Sequence, residues 1–415
     1  MRFGIKTLDD IETSGKTILL RVDINEPVDK KTGKLKDITR IEASIPTIKE
    51  LMEKKAKVVL MAHQGSDIEY KNYYTTRPHV DVISELLGKK IKFIEDICGP
   101  AARTEIQTMQ KGDVLMLDNV RFCAEEQTLF ENNIRLTQEE MTKTQLIQKL
   151  SPLADYYVCD AFAAAHRNQP SLCGFEYVLP SAMGRLFEEE YCIISQLMEE
   201  PNHPCVFLLG GAKVEDAFLM MKTVLERKSA DKILTGGLVA NILLLAKGEK
   251  IGKGSEDFIY KQNFETLIPK AKELLLHYED SLVLPLDLAW TENGKRVESE
   301  VGNIPDMATV TDIGSKSAAF YSRVIQSAAT VFANGPMGIF EEKEAEIGTK
   351  AVMEAMGNTD AYTVVGGGDS ITAAKKFNQQ DKINYLCTGG GALIRMLTGA
   401  ELPVVKALRH GTEVK

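Results

Sequence analysis

The feature that most constrains this chain is a repeated alternation of short apolar runs with amphipathic stretches of roughly 10–16 residues. The apolar runs are rich in β-branched residues and predict strands, whereas the amphipathic stretches, such as 40–55 and 80–90, predict helices. Strands are predicted over residues 16–25, 57–64, 91–97, 113–120 and 155–162, and in the second half over 205–209, 232–234, 281–287, 330–334, 362–365 and 383–387. Continuous apolar strands that alternate with helices indicate parallel sheets covered on both faces.

The number of predicted strands suggests two domains rather than one large sheet. The chain has 415 residues, enough for two or three domains at roughly 150 residues each. About six predicted strands fall on each side of the segment 177–204, and a doubly wound domain commonly has that number. We therefore predict an α/β protein of two doubly wound, parallel-sheet, Rossmann-like domains. The acidic run 186–200 is predicted to be the hinge helix that joins them.

Charge and cysteine content exclude several classes of protein. The net charge of −9 disfavours a nucleic-acid binder, which needs an excess of basic residues. No apolar stretch approaches the roughly 20 residues that span a bilayer, and the N-terminus lacks a signal-peptide pattern. The seven cysteines are scattered, with no CxxC pair, so we expect reduced thiols, no zinc site and a cytoplasmic location.

Glycine clusters follow the predicted strands of the second half. They lie at residues 210–211, 236–237, 335–338, 366–368 and 389–391. In a parallel sheet such turns lie at the carboxyl edge, where ligands bind, and glycines let backbone N–H groups approach a phosphate. A single cluster is more often a tight turn, but five in one half of the chain favour a nucleotide site. Neither GxGxxG nor GxxxxGK[ST] occurs, and the protein-kinase motifs are also absent.

Arginines are concentrated in the first half of the chain. Nine of the fourteen lie within residues 1–185. Arg121 and Arg167 follow predicted strands, as does His63, while Asp23 and Asn25 end the first strand. Guanidinium groups suit phosphate and carboxylate oxygens, so a pocket for a small anion is predicted. A nucleotide in one domain and an anion in the other, with a cleft between them, would suit phosphoryl transfer.

These motifs resemble those of the phosphoglycerate kinase family over nearly the whole chain. The matching segments are RVDIN at 21–25, TR at 39–40, NVRF at 119–122, DAF at 160–162, AHR at 165–167, LGGAKV at 209–214, NGPMG at 334–338, GGGDS at 366–370 and TGGGA at 388–392. The loop 73–76 and Gln64 resemble the archaeal branch. The resemblance implies reversible transfer of the acyl phosphate of 1,3-bisphosphoglycerate to ADP, giving 3-phosphoglycerate and ATP. Both nucleotides act as co-substrates with Mg²⁺, in a cytoplasmic monomer that binds neither nucleic acid nor membrane.

The resemblance also assigns residues and domain limits. It implies a phosphoglycerate domain over 1–185 to which the C-terminal segment 402–415 returns, and a nucleotide domain over 186–401. The substrate would be held by Asp23, Asn25, Arg40, His63, Arg121 and Arg167. The nucleotide would be bound by Gly211, Ala212, Lys213, Gly236, Gly237, Asn334, Pro336, Glu341, Gly366, Gly367, Gly368, Asp369 and Ser370, with Asp369 on the metal. Arg40, Lys213, Gly367 and Gly390 would act on the phosphoryl group in transfer.

Three positions depart from the family pattern. Ser66 stands where the family usually has an arginine, Ala217 where many members have a lysine, and Asp118 where a glutamate is usual. The loss of one charged hydrogen bond at Ser66 would cost about 1.5–3 kcal/mol of substrate binding. These departures leave two alternatives to an active phosphoglycerate kinase, namely a related carboxylate kinase of altered specificity and a catalytically silent nucleotide-binding homologue. A nicotinamide oxidoreductase is disfavoured because GxGxxG is absent.

Overall fold

The chain forms two compact units. The computed structural model describes residues 1–29, 31–65 and 73–414. One unit comprises Met1–Ile193 with Glu401–Lys415, and the other comprises Ile194–Ala400. The boundary falls within a single helix, Arg185–Glu199, in the acidic run where a linking helix is predicted.

The first unit contains a parallel sheet of six strands in the order β3-β4-β2-β1-β5-β6. The strands are β1 (Thr17–Arg21), β2 (Lys57–Met61), β3 (Lys92–Ile94), β4 (Val114–Leu117), β5 (Tyr156–Cys159) and β6 (Ser181–Met183). The helices are α1 (Thr39–Glu53), α2 (Arg77–Leu87), α3 (Pro100–Thr108), α4 (Thr128–Ile134), α5 (Gln145–Leu150), α6 (Pro170–Cys173) and α7 (Arg185–Glu199). Every residue of β1 is buried, as expected for a central strand covered on both faces.

The predicted strands of this unit are longer than the observed ones at their carboxyl ends. The apolar run 16–25 is strand only over Thr17–Arg21, and the run 57–64 only over Lys57–Met61. The remaining residues of each run continue as loops at the carboxyl edge of the sheet. This places Asp23, Asn25 and His63 in loops at the edge of the sheet where ligands bind.

The second unit contains another six-stranded parallel sheet, in the order β15-β14-β13-β7-β8-β9. Its strands are β7 (Cys205–Leu209), β8 (Lys232–Thr235), β9 (Leu282–Val283), β13 (Thr330–Asn334), β14 (Tyr362–Gly366) and β15 (Tyr385–Cys387). The helices are α8 (Val214–Glu226), α9 (Gly237–Lys247), α10 (Lys253–Lys261), α11 (Ile268–Tyr278), α12 (Ser315–Gln326), α13 (Ile347–Gly357), α14 (Gly368–Lys376) and α15 (Gly390–Leu397). The central pair β13 and β7 runs in register from Thr330 beside Cys205 to Asn334 beside Leu209.

A small antiparallel sheet in the second unit was not predicted. It consists of β10 (Asp287–Glu292), β11 (Lys295–Glu300) and β12 (Val310–Ile313), in the order β11-β10-β12. The turn between β10 and β11 is Asn293-Gly294, and both residues have positive φ. An Asn-Gly pair is the strongest short-range hairpin signal, so this hairpin could have been found in the sequence. The charged residues of β11 conceal it, because they give no apolar run.

The chain ends in α16 (Pro403–Gly411), which belongs to the first unit. Val404, Val405 and Leu408 are buried. The Gln138 side-chain amide donates a hydrogen bond of 2.8 Å to the Pro403 carbonyl. The Tyr177 ring stacks on His410 with centroids 3.9 Å apart. The C-terminal helix is therefore part of the first unit's core rather than a surface extension.

None of the helices among the described residues is long and apolar enough to cross a membrane. All seven cysteines are free thiols.

Candidate active site

The predicted residues of the first unit lie at the carboxyl edge of its sheet. Asp23 follows β1 and accepts a hydrogen bond of 2.6 Å from Nη1 of Arg40, at the start of α1. Asn25 Oδ1 accepts a hydrogen bond of 2.8 Å from the Gly65 N–H. The side chains of Asp23 and Asn25 thus already bind protein groups, and they orient Arg40 and the chain at Gly65.

His63 lies close to several arginine side chains. It is buried, and Nη2 of Arg21 lies 3.1 Å from its Nδ1. Because a guanidinium can only donate, Nδ1 accepts and the ring proton resides on Nε2. Burial, followed by the charges of Arg21, Arg121, Arg167 and Arg40, lowers the pKa of His63 well below its ordinary value. His63 is therefore a neutral hydrogen-bond donor inside a strongly cationic site.

Arg121 is the most unusual residue of this cluster. It is 1% exposed. Its Nη1 donates to the Gly65 carbonyl, but neither Nε nor Nη2 has a hydrogen-bond partner among the described residues. Burial and the neighbouring Arg167 lower the pKa of Arg121 to about 10. A buried cation with two free donors is unfavourable unless an anion binds there.

Arg167 differs from Arg21, Arg40 and Arg121 in how weakly its guanidinium is bound to the protein. It is half-buried, and its Nη1 makes one long hydrogen bond of 3.4 Å to the Thr128 hydroxyl. Its charge lowers the pKa of both His63 and Arg121, which places it close to both. Its other guanidinium donors have no partner among the described residues.

A buried hydrogen-bond network that the sequence did not reveal holds Arg21 in place. Glu126 is buried and accepts a hydrogen bond of 2.6 Å from the Ser171 hydroxyl, which in turn accepts one of 3.0 Å from Arg21 Nε. Arg21 then contacts His63. Burial raises the pKa of Glu126. The members are far apart in the chain, so no local pattern could have indicated this network.

Asp118 and Asn119 hold the loop that leads to Arg121. Asn119 Oδ1 accepts from the Arg121 N–H at 3.0 Å, and its Nδ2 donates to the Tyr74 carbonyl at 2.9 Å. Asp118 Oδ1 accepts from the Thr76 N–H at 2.9 Å. Aspartate in place of the usual glutamate thus has a structural partner here. Ser66, the other departure in this part of the chain, lies outside the described residues.

In the second unit, the glycine turns border a cavity of about 440 Å³. Six predicted residues line it: Gly211, Ala212, Gly237, Pro336, Glu341 and Asp369. The apolar part of the wall was not predicted and comes from Leu238, Phe258, Leu288, Met337 and Ile339. An apolar cavity of this size with few polar groups suits the base and sugar of a nucleotide.

A smaller hollow adjoins this cavity and shares Gly211, Ala212 and Asp369 with it. Its other lining residues include Gly210, Lys213, Asn334, Gly367, Gly368 and Ser370. Gly367 precedes α14 with a φ of 86°, a conformation that favours glycine. The Ser370 hydroxyl accepts a hydrogen bond of 2.7 Å from the Gly335 N–H. The free N–H groups at the start of α14 make this hollow suitable for phosphate.

Three exposed charged side chains surround these hollows. Lys213, Glu341 and Asp369 are exposed, and each lines one or both hollows. The described residues contain no group of three or more His, Cys, Asp or Glu side chains that could hold a metal ion. A single carboxylate at a phosphate site fits Mg²⁺, which keeps several waters and takes its other ligands from phosphate oxygens. Asp369 is the carboxylate that borders both hollows.

Three predicted glycines do not line either hollow. Gly236 packs against Met337, whose Cα would lie 2.7 Å from an added Cβ. Gly366 ends β14 beneath the side chain of Leu393. Gly390 begins α15 with a φ of 48°. The first two are required for close packing that shapes the site. Ala217, the remaining departure, is buried on α8, one turn after Lys213.

Comparison with known proteins gives a consistent result. The family model described as phosphoglycerate kinase matches residues 8–400. The curated phosphoglycerate kinase of Methanothermobacter thermautotrophicus is 44% identical over 409 residues, covering 98% of this chain and 97% of that protein. That of Methanothermus fervidus is 41% identical and covers 98% of each. The crystal structure of phosphoglycerate kinase from Pyrococcus horikoshii OT3 is similar with a TM-score of 0.87 at 40% identity, over 99% of this chain and 100% of that one. The structure of phosphoglycerate kinase from Coxiella burnetii gives 0.83 at 28% identity, over 97% and 98%.

Proposed function

This chain belongs to the phosphoglycerate kinase family, and from that premise we propose which of its residues carry the reaction. The enzyme transfers the acyl phosphate of 1,3-bisphosphoglycerate to ADP, reversibly, giving 3-phosphoglycerate and ATP, with Mg²⁺ bound to the nucleotide. The attacking oxygen is already ionised in either direction, because it belongs to a phosphate or a carboxylate. No general base is needed, and catalysis consists of alignment and charge neutralisation.

The observation that carries the assignment of the first unit is the buried guanidinium of Arg121, whose Nε and Nη2 have no hydrogen-bond partner in the part of the chain that the structure describes. We assign these donors to an anionic oxygen of the phosphoglycerate. Arg167 adds a second fork, and the Nε2–H of His63 adds a neutral donor. Asp23 fixes Arg40 through the 2.6 Å ion pair, which aims the rest of that guanidinium at the substrate. Asn25 acts at the same edge of the sheet and also fixes Gly65.

In the second unit, we assign the base and ribose to the larger cavity and the phosphates to the smaller hollow. Glu341 accepts hydrogen bonds from the ribose hydroxyls, because its exposed carboxylate borders the larger cavity. The N–H groups after Gly367 and the Lys213 ammonium bind phosphate oxygens. Asp369 holds Mg²⁺, which when bound neutralises charge on those oxygens. Asn334 and Pro336 shape the wall between β13 and α14.

The charge that develops on the transferring group is neutralised by a small set of donors. We assign this role to Arg40 from the first unit, Lys213 from the second, and the N–H groups at Gly367 and Gly390, where α14 and α15 begin. Donors fixed in place before reaction need no reorganisation when charge moves, which makes them effective in the transition state. We further propose that the protein acts as a monomer in the cytoplasm; sedimentation equilibrium at working concentration tests the first point.

A coupled assay tests the function as a whole. The purified chain receives Mg-ATP and 3-phosphoglycerate, and the product is reduced by glyceraldehyde-3-phosphate dehydrogenase with loss of NADH. We expect turnover that requires the purified chain, Mg-ATP and 3-phosphoglycerate. Failure to turn over, while Mg-ATP still raises the unfolding temperature, would instead favour the silent nucleotide-binding homologue. Turnover with another carboxylate above that with 3-phosphoglycerate would favour altered specificity.

A further inference from the structure

Strands β10 and β12 of the antiparallel sheet contribute residues to the wall of the nucleotide cavity, and β11 carries Arg296, which contacts Asp312 in that wall. Arg296 lies on β11, and its side chain is 12% exposed. Nη1 donates to Asp312 Oδ2 at 2.9 Å and to the Glu344 carbonyl at 2.8 Å. Nη2 donates to the Ile313 carbonyl at 2.7 Å. One guanidinium thus joins β11, the end of β12, and the chain just before α13.

Asp312 is the central partner of Arg296. Its side chain is 0% exposed, and it lines the nucleotide cavity. Oδ2 also accepts a hydrogen bond of 2.8 Å from the Gly348 N–H, in the first turn of α13. The carboxylate is thus shared between a cation on the antiparallel sheet and the N-terminus of a helix, two groups that both favour its ionised form.

The segment between β13 and α13, residues 335–346, packs against β12 and against Asp312. It carries Pro336 and Glu341, which line the cavity. The Ile339 N–H donates to the Thr311 carbonyl at 2.8 Å. Neither Gly338 nor Gly348 could carry a side chain without meeting Asp312. The segment therefore lies directly against β12 and the Asp312 carboxylate, with no space for a side chain at Gly338 or Gly348.

We propose that Arg296 is a positioning residue for nucleotide binding: it lies outside the cavity and, through Asp312 and the Glu344 carbonyl, fixes the 335–346 segment that presents Pro336 and Glu341. The inference rests on the assignment of the cavity to the nucleotide. Burial raises the pKa of Asp312 to about 6 even with Arg296 and the Gly348 N–H beside it. Without Arg296, the carboxyl group takes up a proton or moves toward water, and in either case its hold on the start of α13 weakens.

The other charged side chain that contacts Arg296 is Glu298, on the same strand. Glu298 Oε1 accepts a hydrogen bond from Arg296 Nε, and Glu298 also binds the N–H and hydroxyl of Ser315 at the start of α12. Among the described residues, no other lysine or arginine makes an ion pair with Asp312. Arg296 is thus the cation on which the arrangement depends.

The test compares Arg296→Met with Lys316→Met. Lys316 lies in the first turn of α12 and makes an exposed ion pair with Glu300 of β11, so the control removes a cation that contacts the same strand without touching Asp312. Binding of Mg-ADP is measured by titration calorimetry, and the KM values by the coupled assay. For Arg296→Met we expect the Kd of Mg-ADP to rise about tenfold. The KM for 3-phosphoglycerate at saturating nucleotide should stay unchanged, and so should every parameter of Lys316→Met.

A second variant keeps the test valid if Arg296→Met does not fold. Arg296→Lys keeps the charge but loses the fork that reaches both Asp312 and a carbonyl, so we expect folded protein with an intermediate Kd. The inference fails if Arg296→Met binds Mg-ADP as the unmodified chain does, or if Lys316→Met weakens binding equally. Calorimetry measures Mg-ADP binding without turnover, so it tests the role of Arg296 independently of catalysis. The coupled assay on the unmodified chain tests the proposed function.

Discussion

Replacement of Arg121 by methionine is expected to stabilise the ligand-free protein while weakening 3-phosphoglycerate binding. Arg121 is 1% exposed, and among the described residues its Nε and Nη2 have no hydrogen-bond partner. Burial and Arg167 lower its pKa from the ordinary arginine value to about 10, so the folded state disfavours the charged form that the unfolded chain carries. At 1.36 kcal/mol per pKa unit, with allowance for solvent relaxation, the penalty is roughly 1–3 kcal/mol.

Methionine removes this penalty because it fills a similar volume without charge. For a unit of this size, 1 kcal/mol corresponds to about 2–4 °C, so the unfolding temperature should rise by roughly 5 °C. Substrate binding should weaken at the same time. The donors Nε and Nη2 are lost, and one charged hydrogen bond is worth about 1.5–3 kcal/mol, which corresponds to a KM for 3-phosphoglycerate raised at least about tenfold.

The assay is scanning calorimetry with and without 3-phosphoglycerate, together with coupled kinetics at saturating Mg-ATP. The unmodified protein should gain stability on adding the substrate, and the variant should gain much less. Arg77→Met is the matched control, because Arg77 is exposed at the start of α2 and lies over the Phe93 ring at 4.9 Å. A ligand-free Arg121→Met protein that melts below the unmodified one would refute the idea that this charge is uncompensated.

Three further predictions concern other parts of the molecule. Lys213→Ala should lower kcat by about 10²–10³ and weaken calorimetric Mg-ADP binding by a smaller factor, because Lys213 is assigned to both the transferring group and the nucleotide phosphates. Lys222→Ala, at an exposed site on α8, should leave kcat unchanged, and equal losses of kcat in both variants would refute the role of Lys213. Asp369→Asn should raise the Mg²⁺ concentration for half-maximal rate roughly tenfold, equivalent to about 1.4 kcal/mol. An unchanged Mg²⁺ dependence would show that Asp369 is not the metal ligand. Glu176 is fully buried, both of its carboxylate oxygens lack a hydrogen-bond partner among the described residues, and burial raises its pKa well above the ordinary value. The unfolded chain therefore ionises first as pH rises, and stability falls by up to about 1.4 kcal/mol per pH unit above pH ~4.5. Glu176→Gln should lack this component, so its stability relative to the unmodified protein should increase between pH 5 and 8 in denaturant titrations; a gap independent of pH would show that Glu176 is not held protonated.

The sequence determined those features that depend on neighbouring residues. Buried parallel strands need continuous apolar runs, and each such run leads into the loop at the carboxyl edge of the sheet. This local rule found the strand over Cys205–Leu209 and placed His63 and Arg121 at the carboxyl edge of the first sheet. Glycine turns before helices likewise indicated the residues that border the cavity, because both the turn and the free N–H groups are local features.

Tertiary structure decided which distant groups meet. Arg21 contacts Ser171, 150 residues away in the chain, and Arg296 reaches Asp312 only because the antiparallel sheet brings them together. Gly236 and Gly366 illustrate the opposite case, since their turns were visible in the sequence but they serve packing rather than the cavity wall. Local periodicity specifies which face of an element is buried, whereas the order of strands in each sheet specifies which faces and loop ends become neighbours. The polar contacts that hold the site are made between such neighbours, so they could be read only from the folded chain.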